Sequence, residues 1–252
     1  HGIPGLIHLS ESVDDECCYH AALCFRKLTP NLKSHPPMVY SGAFKALFRL
    51  MELPNLNTQR QAASAVRDLC ANPENKLKCA DDEGIEALVK LVRQPEEQLQ
   101  ALALAGLRHL STLDSLKQPI VQSRAVRPAL RAITNTHEDI YLQVAGLFAN
   151  LSELLENQTI MVEEGIVIGL STLAFSDNDE VQQDTSRCLA NLASNEDCHM
   201  PIYKQGGLMA MVKLTEGQND ITQRYAAMGL RFMAADPDVH ILIMQDGRVE
   251  PF

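Results

Sequence analysis

Two cysteines and a histidine near the N-terminus have a spacing that could bind a metal ion. Cys17, His20 and Cys24 lie at positions i, i+3 and i+7, so they share one face of a helix. A structural zinc site needs four ligands, usually from short Cys-x-x-Cys pairs, and no second pair follows nearby. We therefore interpret the two cysteines as core side chains, and we expect no metal and no cofactor.

No set of residues matches a catalytic motif. The sequence has no nucleophile elbow, no phosphate-binding glycine loop and no metalloprotease helix. His109 could titrate near neutral pH, but a single histidine does not form a catalytic site. We therefore predict a protein that is not an enzyme. The open alternative is a regulatory part of an enzyme whose catalytic domain lies elsewhere.

Asparagine occurs in a phrase of small and apolar residues that returns after 41 residues, as GLFANLS at 146–152 and RCLANLA at 187–193. Steps of 41 residues define what we call the rung column, in which a large apolar residue follows each member: Lys27, Asp68, His109, Asn150, Asn191 and Phe232. A glutamine column keeps the same register nine residues earlier, at Gln59, Gln100, Gln182 and Gln223. Such a fixed period indicates a tandem repeat.

The composition limits what these repeats can form. The 252 residues are 46% hydrophobic and 21% charged, with no tryptophan and 5% aromatic residues. A core of Leu, Ala, Val and Ile favours helices. No stretch approaches a membrane span, and no signal segment opens the chain. Seven cysteines spread through the repeats fit a reducing compartment, so we expect an intracellular protein, cytoplasmic with the nucleus as a further location.

Each repeat has the pattern of three short helices, as residues 157–194 illustrate. The segment NQTIMVEE predicts a first helix, and Gly165 supplies a turn before a second helix that stops at the polar cluster 176–179. The polar cluster at 176–179 offers an N-cap for a third helix over 180–193. Helices of this length are marginal alone, so they bury their apolar faces by stacking on neighbouring repeats.

Several segments match the pattern of a known family. The segment GGLMAMVKL at 206–214, a following Gln-x-x-Ala pair, and the phrase that closes on Asn-Leu-Ser or Asn-Leu-Ala resemble the armadillo-repeat family, in its β-catenin and plakoglobin type and its importin-α type. The resemblance covers essentially the whole chain. It implies an all-α fold, a right-handed α-solenoid of about six armadillo repeats with three helices each.

The repeats predict one continuous array. Neither end shows the polar capping repeat that a solenoid needs, so we expect either an excerpt of a longer protein or a chain whose ends are covered by something else. We predict a single solenoid over residues 1–252, with a partial repeat at each end and boundaries at roughly 1–33, 34–74, 75–114, 115–156, 157–194, 195–236 and 237–252.

The resemblance implies that the third helices line a concave groove. Asn150 and Asn191 match the family's asparagine ladder, whose amides bind the backbone of an extended peptide. The other members of the rung column depart from that ladder. An asparagine near a helix end can instead bind its own backbone or solvent.

Cationic residues concentrate next to the rung column. The ten residues that end at each rung hold eight cationic residues against two carboxylates, whereas the chain has a formal net charge of −10, which leaves −16 elsewhere. A guanidinium holds a carboxylate or phosphate with two hydrogen bonds, although an arginine at a helix C-terminus also complements the helix dipole. Four arginines precede a rung directly: Arg26, Arg67, Arg108 and Arg231.

These patterns predict a partner-binding groove. We expect a non-enzymatic scaffold or adaptor that binds an extended acidic or phosphorylated segment of a partner protein, and no small-molecule substrate. The predicted groove residues are Arg26, Lys27, Arg60, Arg67, Arg108, His109, Asn150, Arg187, Asn191, Arg224 and Arg231.

Three other roles are alternatives to an acidic-ligand scaffold. A docking element of a larger cytoskeletal, membrane-adaptor or ligase complex would use the convex face or the open ends. A cargo-peptide receptor of the nuclear-transport type would need cation–π clamps, and the chain has no tryptophan. Nucleic acid is not expected, because the pI is about 5.2 and no stacking aromatics accompany the basic column.

Overall fold

A computed structural model describes residues 2–134 and 137–246 of the chain. No helix of these residues is long and apolar enough to cross a membrane. The described residues form no strand, and their α-helices are α1 (Gly2–Ser10), α2 (Asp15–Leu28), α3 (His35–Tyr40), α4 (Ala43–Glu52), α5 (Leu56–Ala71), α6 (Lys76–Asp81), α7 (Gly84–Val92), α8 (Glu97–Ser111), α9 (Asp114–Gln122), α10 (Val126–Ala132), α11 (Glu138–Leu151), α12 (Leu155–Glu163), α13 (Ile166–Leu173), α14 (Asp179–Ala193), α15 (His199–Lys204), α16 (Gly207–Thr215), α17 (Asp220–Ala235) and α18 (Pro237–Asp246).

The chain folds as two compact units, an N-terminal unit (His1–Pro128) and a C-terminal unit (Ala129–Phe252). The division falls inside the predicted repeat 115–156. Residues 247–252, which end the predicted partial repeat 237–252, lie outside the described residues. A single array over the whole chain therefore stays a prediction.

In the N-terminal unit, helices form layers. The third helices α2, α5 and α8 pack side by side, and the second helices α1, α4 and α7 pack against them and against one another. The short first helices α3 and α6 connect one layer to the other. This arrangement buries an apolar face on every helix, which none of them could do alone.

The C-terminal unit repeats this plan. Its third helices α11, α14 and α17 pack side by side, and its second helices α13 and α16 lie against α14 and α17. The first helices α12, α15 and α18 pack in sequence. The core contains the residues two positions before the first two rungs of this unit, Phe148 and Leu189, which are fully buried, whereas the equivalent Leu230 is partly exposed.

The glutamine column has a structural explanation. Each of its four side chains donates a hydrogen bond to the backbone carbonyl six residues earlier, at 2.7 to 2.8 Å. Those carbonyls lie in the turn that precedes each third helix, where no helical partner satisfies them. The column therefore fixes the turn between the second and third helices.

The prediction that Cys17 and Cys24 fill a core is wrong. Cys24 is exposed and Cys17 is partly exposed. Cys188 occupies the position equivalent to Cys24 and is buried. The preceding third helix covers it, and its Sγ lies 3.5 Å from the Phe148 carbonyl oxygen of that helix. No third helix precedes α2 in the described chain, so the same face is uncovered there. Within residues 2–134 and 137–246, no cluster of three metal-binding side chains occurs.

Candidate functional site

The predicted site residues all lie on third helices, and each unit gathers its own set on one layer. The N-terminal set is Arg26, Lys27, Arg60, Arg67, Arg108 and His109. The C-terminal set is Asn150, Arg187, Asn191, Arg224 and Arg231.

Rung residues contact the neighbouring third helix. In the N-terminal unit, Thr29 Oγ1 at the end of α2 donates to Asp68 Oδ2 on α5 at 2.9 Å. In the C-terminal unit, Asn191 Nδ2 on α14 donates to Ser152 Oγ at the end of α11 at 3.1 Å. Residues of the same column therefore lie beside one another within each unit, as the repeat alignment requires.

Two arginines of α5 already bind carboxylates of the chain. Arg67 donates from Nε and Nη2 to Asp68 Oδ1 at 2.9 and 2.6 Å. Arg60 Nη2 lies 2.8 Å from Glu96 Oε1, and both side chains are partly buried. Glu96 lies outside the ten-residue segments that end at the rungs. The local cationic surplus is therefore smaller than that count suggests.

Arg187 is also engaged, and it engages one of the two asparagines. Its Nη1 lies 2.6 Å from Glu153 Oε1 and its Nη2 lies 2.9 Å from Asp184 Oδ1. Nη2 also donates to Asn150 Oδ1 at 3.2 Å. A ligand backbone that used the Asn150 carbonyl oxygen would compete with this contact.

The remaining cationic residues on third helices are more accessible. Arg26 is exposed and donates to Gln61 Oε1 at 2.7 Å, and Lys27 beside it is exposed. Arg224 is exposed, and Arg231 is exposed with its guanidinium carbon 5.0 Å from the centroid of the Phe232 ring. These residues lie at opposite ends of the chain, in different compact units.

A cationic cluster forms at the C-terminal end of α8 in the N-terminal unit. We call Arg67, Lys76, Arg108 and His109 the α8 cluster. Lys76, at the start of α6, is 8% exposed, and its Nζ donates to the hydroxyl of Thr112, the residue after α8. Within the described residues, Lys76 has no carboxylate partner. A cation at this place also complements the C-terminal end of the α8 dipole.

The electrostatics of the α8 cluster disfavour additional positive charge. Burial lowers the pKa of His109, and the charges of Lys76, Arg108 and Arg67 lower it further, while Asp68 has a smaller opposite effect. Burial also lowers the pKa of Lys76. The neutral form of His109 is therefore favoured in the folded protein.

Lys76 is the member of this cluster that sequence reasoning missed. It lies one residue after the buried Asn75 on a first helix, and the column alignment offered no reason to place it beside a third helix. Lys76 and Thr112 are 36 residues apart. This separation is close to the repeat length, and it is the one feature of the sequence that could have indicated that the two residues are neighbours.

The fold is similar to solved armadillo structures. No protein-family model matches the sequence, and no curated protein matches it significantly. An engineered protein is 25% identical, with a TM-score of 0.83 over 93% of this chain and 97% of that one.

Two further structures name the fold. Computationally designed armadillo repeat proteins for modular peptide recognition are 20% identical, with a TM-score of 0.84 over 91% of this chain and 99% of that one. A designed armadillo repeat protein in complex with the peptide (KR)4 is 19% identical, with a TM-score of 0.81 over 92% of this chain and 100% of that one. The chain therefore has an armadillo-repeat fold, and the all-α prediction is confirmed.

Proposed function

We propose that this chain is a non-enzymatic scaffold or adaptor that binds an extended acidic or phosphorylated segment of a partner protein along its third helices. Two of the similar structures are designed armadillo proteins, one for modular peptide recognition and one in complex with a peptide. Their shared fold supports a peptide-binding role for this chain. Fold alone does not determine the ligand, so the side chains of this chain must.

The α8 cluster is the observation that supports an acidic ligand. Its cationic side chains come from three helices, whereas the nearby Asp68 is occupied by Arg67 and Thr29. Lys76 uses one of its three donors on a neutral hydroxyl. A carboxylate or phosphate would supply the negative charge that Lys76 does not meet within the described residues.

The peptide bound in one similar structure is basic, so the charge of the ligand of this chain must be tested. That designed protein is in complex with (KR)4. A basic peptide on the third helices of this chain would have to approach Arg67, Lys76 and Arg108, which repel it. The nuclear-transport role therefore has less support than the acidic-ligand role. The assembly role through the outer face stays a prediction.

Charge reversal in the α8 cluster tests the proposal. We expect Arg67→Glu combined with Arg108→Glu to weaken binding of a fluorescent phosphoserine-rich acidic peptide by at least about tenfold, because charge-assisted hydrogen bonds contribute about 1.5–3 kcal/mol each. Fluorescence polarisation gives the dissociation constants. The labelled peptide (KR)4 serves as the second probe.

The matched control is Arg93→Glu, which reverses an exposed arginine at the end of the second helix α7. It should leave the affinity within about twofold, since the charge lies away from the third-helix layer. Circular dichroism verifies that all variants fold. If the double variant binds the acidic peptide as the wild type does, the proposal is refuted. The double variant should bind (KR)4 at least as tightly as the wild type does, since the substitutions remove charges that repel it.

A further inference from the structure

A cavity lies on the second-helix layer of the N-terminal unit. It has a volume of about 480 Å³ and lies between α4, α7 and the turn that joins α6 to α7. None of its lining residues belongs to a third helix. Phe48 and Ala87 supply its apolar surface. The cavity is therefore separate from the candidate site on the third helices.

The cavity carries more negative than positive charge. Five carboxylates and three cations line it. Two of the cations are held by carboxylates of the cavity itself, because Lys90 Nζ lies 2.6 Å from Glu52 Oε1 and Lys45 Nζ lies 3.9 Å from Asp82 Oδ1. The third, Arg49, donates to backbone carbonyls near the end of α1.

The other carboxylates of the cavity differ in their partners. Asp81, Glu83 and Glu86 are exposed and form no ion pair with any residue that the structure describes. Asp82 is different, because only 4% of its side chain is exposed and its Oδ1 accepts a hydrogen bond from Lys78 Nζ at 2.9 Å. Its Oδ2 has no hydrogen-bond donor among the described residues. A buried carboxylate oxygen without a donor is costly, so it indicates a place for a ligand donor.

We propose that this cavity binds an arginine side chain from a basic segment of a partner protein. A guanidinium carries five donors in a planar fork, which can bind two carboxylates at once and stack on an aromatic ring. Glu83 and Glu86 provide two exposed carboxylates, Asp82 Oδ2 provides a further acceptor, and Phe48, which is 8% exposed, provides a small apolar contact. An ammonium group is a strongly hydrated point charge and uses these features less well.

Paired peptides test the choice of ligand. An arginine-serine repeat peptide is titrated into the ¹⁵N-labelled chain, and the same peptide with citrulline in place of arginine is titrated in parallel. Citrulline keeps the planar shape and removes the charge. We expect chemical-shift changes at the ends of α4 and α7, and an affinity at least about tenfold lower for citrulline. A lysine-serine peptide should bind with intermediate affinity.

Carboxylate variants locate the site. Glu83→Gln combined with Glu86→Gln keeps the size of both exposed side chains, and we expect it to weaken the arginine peptide by about tenfold. The control Glu156→Gln neutralises an exposed residue of α12 and should change the affinity by less than about twofold. The variant Arg67→Glu with Arg108→Glu should leave these shift changes in place, which separates this site from the proposed function. Equal binding of citrulline, unchanged affinity in the glutamine variant, or shift changes confined to the third helices would overturn the assignment.

Discussion

Glu83 and Arg124 occupy a backbone conformation that side chains disfavour. Their φ angles are 68° and 62°. The same turn position, repeated every 41 residues, holds glycine in three other repeats, with φ between 84° and 90° at Gly42, Gly165 and Gly206. The left-handed conformation brings Cβ close to the following carbonyl oxygen and costs roughly 1–2 kcal/mol. Glycine avoids this contact but loses more backbone entropy on folding.

Glycine at these two turns should therefore stabilise the fold. We expect Arg124→Gly to raise the free energy of unfolding by about 0.5–1 kcal/mol, because the relieved contact exceeds the added entropy. Urea unfolding followed by circular dichroism measures the change. Gly42→Ala and Gly165→Ala are the controls. A Cβ at either position meets nothing within 4 Å, so a loss of about 1 kcal/mol there isolates the backbone effect. A destabilised Arg124→Gly would show that the arginine side chain outweighs the strain.

At the same scale, sequence columns place the site residues but not their contacts. The alignment puts Arg67 and Arg187 on third helices, and the structure agrees. It does not show that Asp68, Glu96 and Glu153 are within reach, because distances between helices are not contained in a one-dimensional period. The exposure of Cys24 was missed for a related reason. Burial of that column depends on a preceding third helix.

At the scale of the helix, both ends of the third helices are satisfied by side chains. Asn55, Asn178 and Asn219 accept hydrogen bonds from the first backbone N–H groups of α5, α14 and α17. At the other end, Asn75 Nδ2 donates to the Leu69 carbonyl at 2.9 Å. Asn157 and His199 make the equivalent contacts after α11 and α14. These bonds satisfy carbonyls that have no partner inside the helix.

Removing one of these buried bonds should destabilise the N-terminal unit. Asn75 is 4% exposed, and its amide also lies 3.3 Å from His35 Nδ1. We expect Asn75→Ala to lower the free energy of unfolding by about 1–3 kcal/mol, since it leaves a buried carbonyl and a buried ring nitrogen unsatisfied. Denaturant unfolding tests this value. The exposed Asn57→Ala should change it by less than about 0.5 kcal/mol. Equal effects of the two variants would contradict a capping role.

Helix positions were more predictable than side-chain contacts. In residues 157–194, the pattern predicts helices at 157–164, from Ile166 to the polar cluster at 176–179, and at 180–193. The structure has α12 from Leu155 to Glu163, α13 from Ile166 to Leu173 and α14 from Asp179 to Ala193. Apolar period, glycine and cap residues act within a few residues, so they can be read locally. Each glutamine of the column binds a backbone carbonyl only six residues earlier. That contact was not predictable, because the direction of the carbonyl is set by the folded turn.

At the scale of the whole molecule, an acidic ligand meets opposing electrostatic effects. The net charge of −10 repels it at long range, whereas the cationic third-helix residues attract it at short range. Salt screens exposed charges beyond about 10 Å at 0.1 M. Carboxylates beside those cations weaken the attraction most, because they act at contact distance. Glu96, 2.8 Å from Arg60, is one of these.

Neutralising Glu96 should therefore strengthen the binding of an acidic peptide. We expect Glu96→Gln to raise the affinity about three- to tenfold, because Arg60 loses its partner while the glutamine oxygen can still accept the Leu99 N–H that caps α8. The control is Glu97→Gln, which removes the same charge from an adjacent exposed residue. Polarisation titrations at low and moderate salt compare the two variants. If Glu97→Gln strengthens binding as much, the affinity follows net charge and not the release of Arg60. If Glu96→Gln leaves the affinity unchanged, the ligand does not contact Arg60. Its contacts in the N-terminal unit are then confined to the α8 cluster.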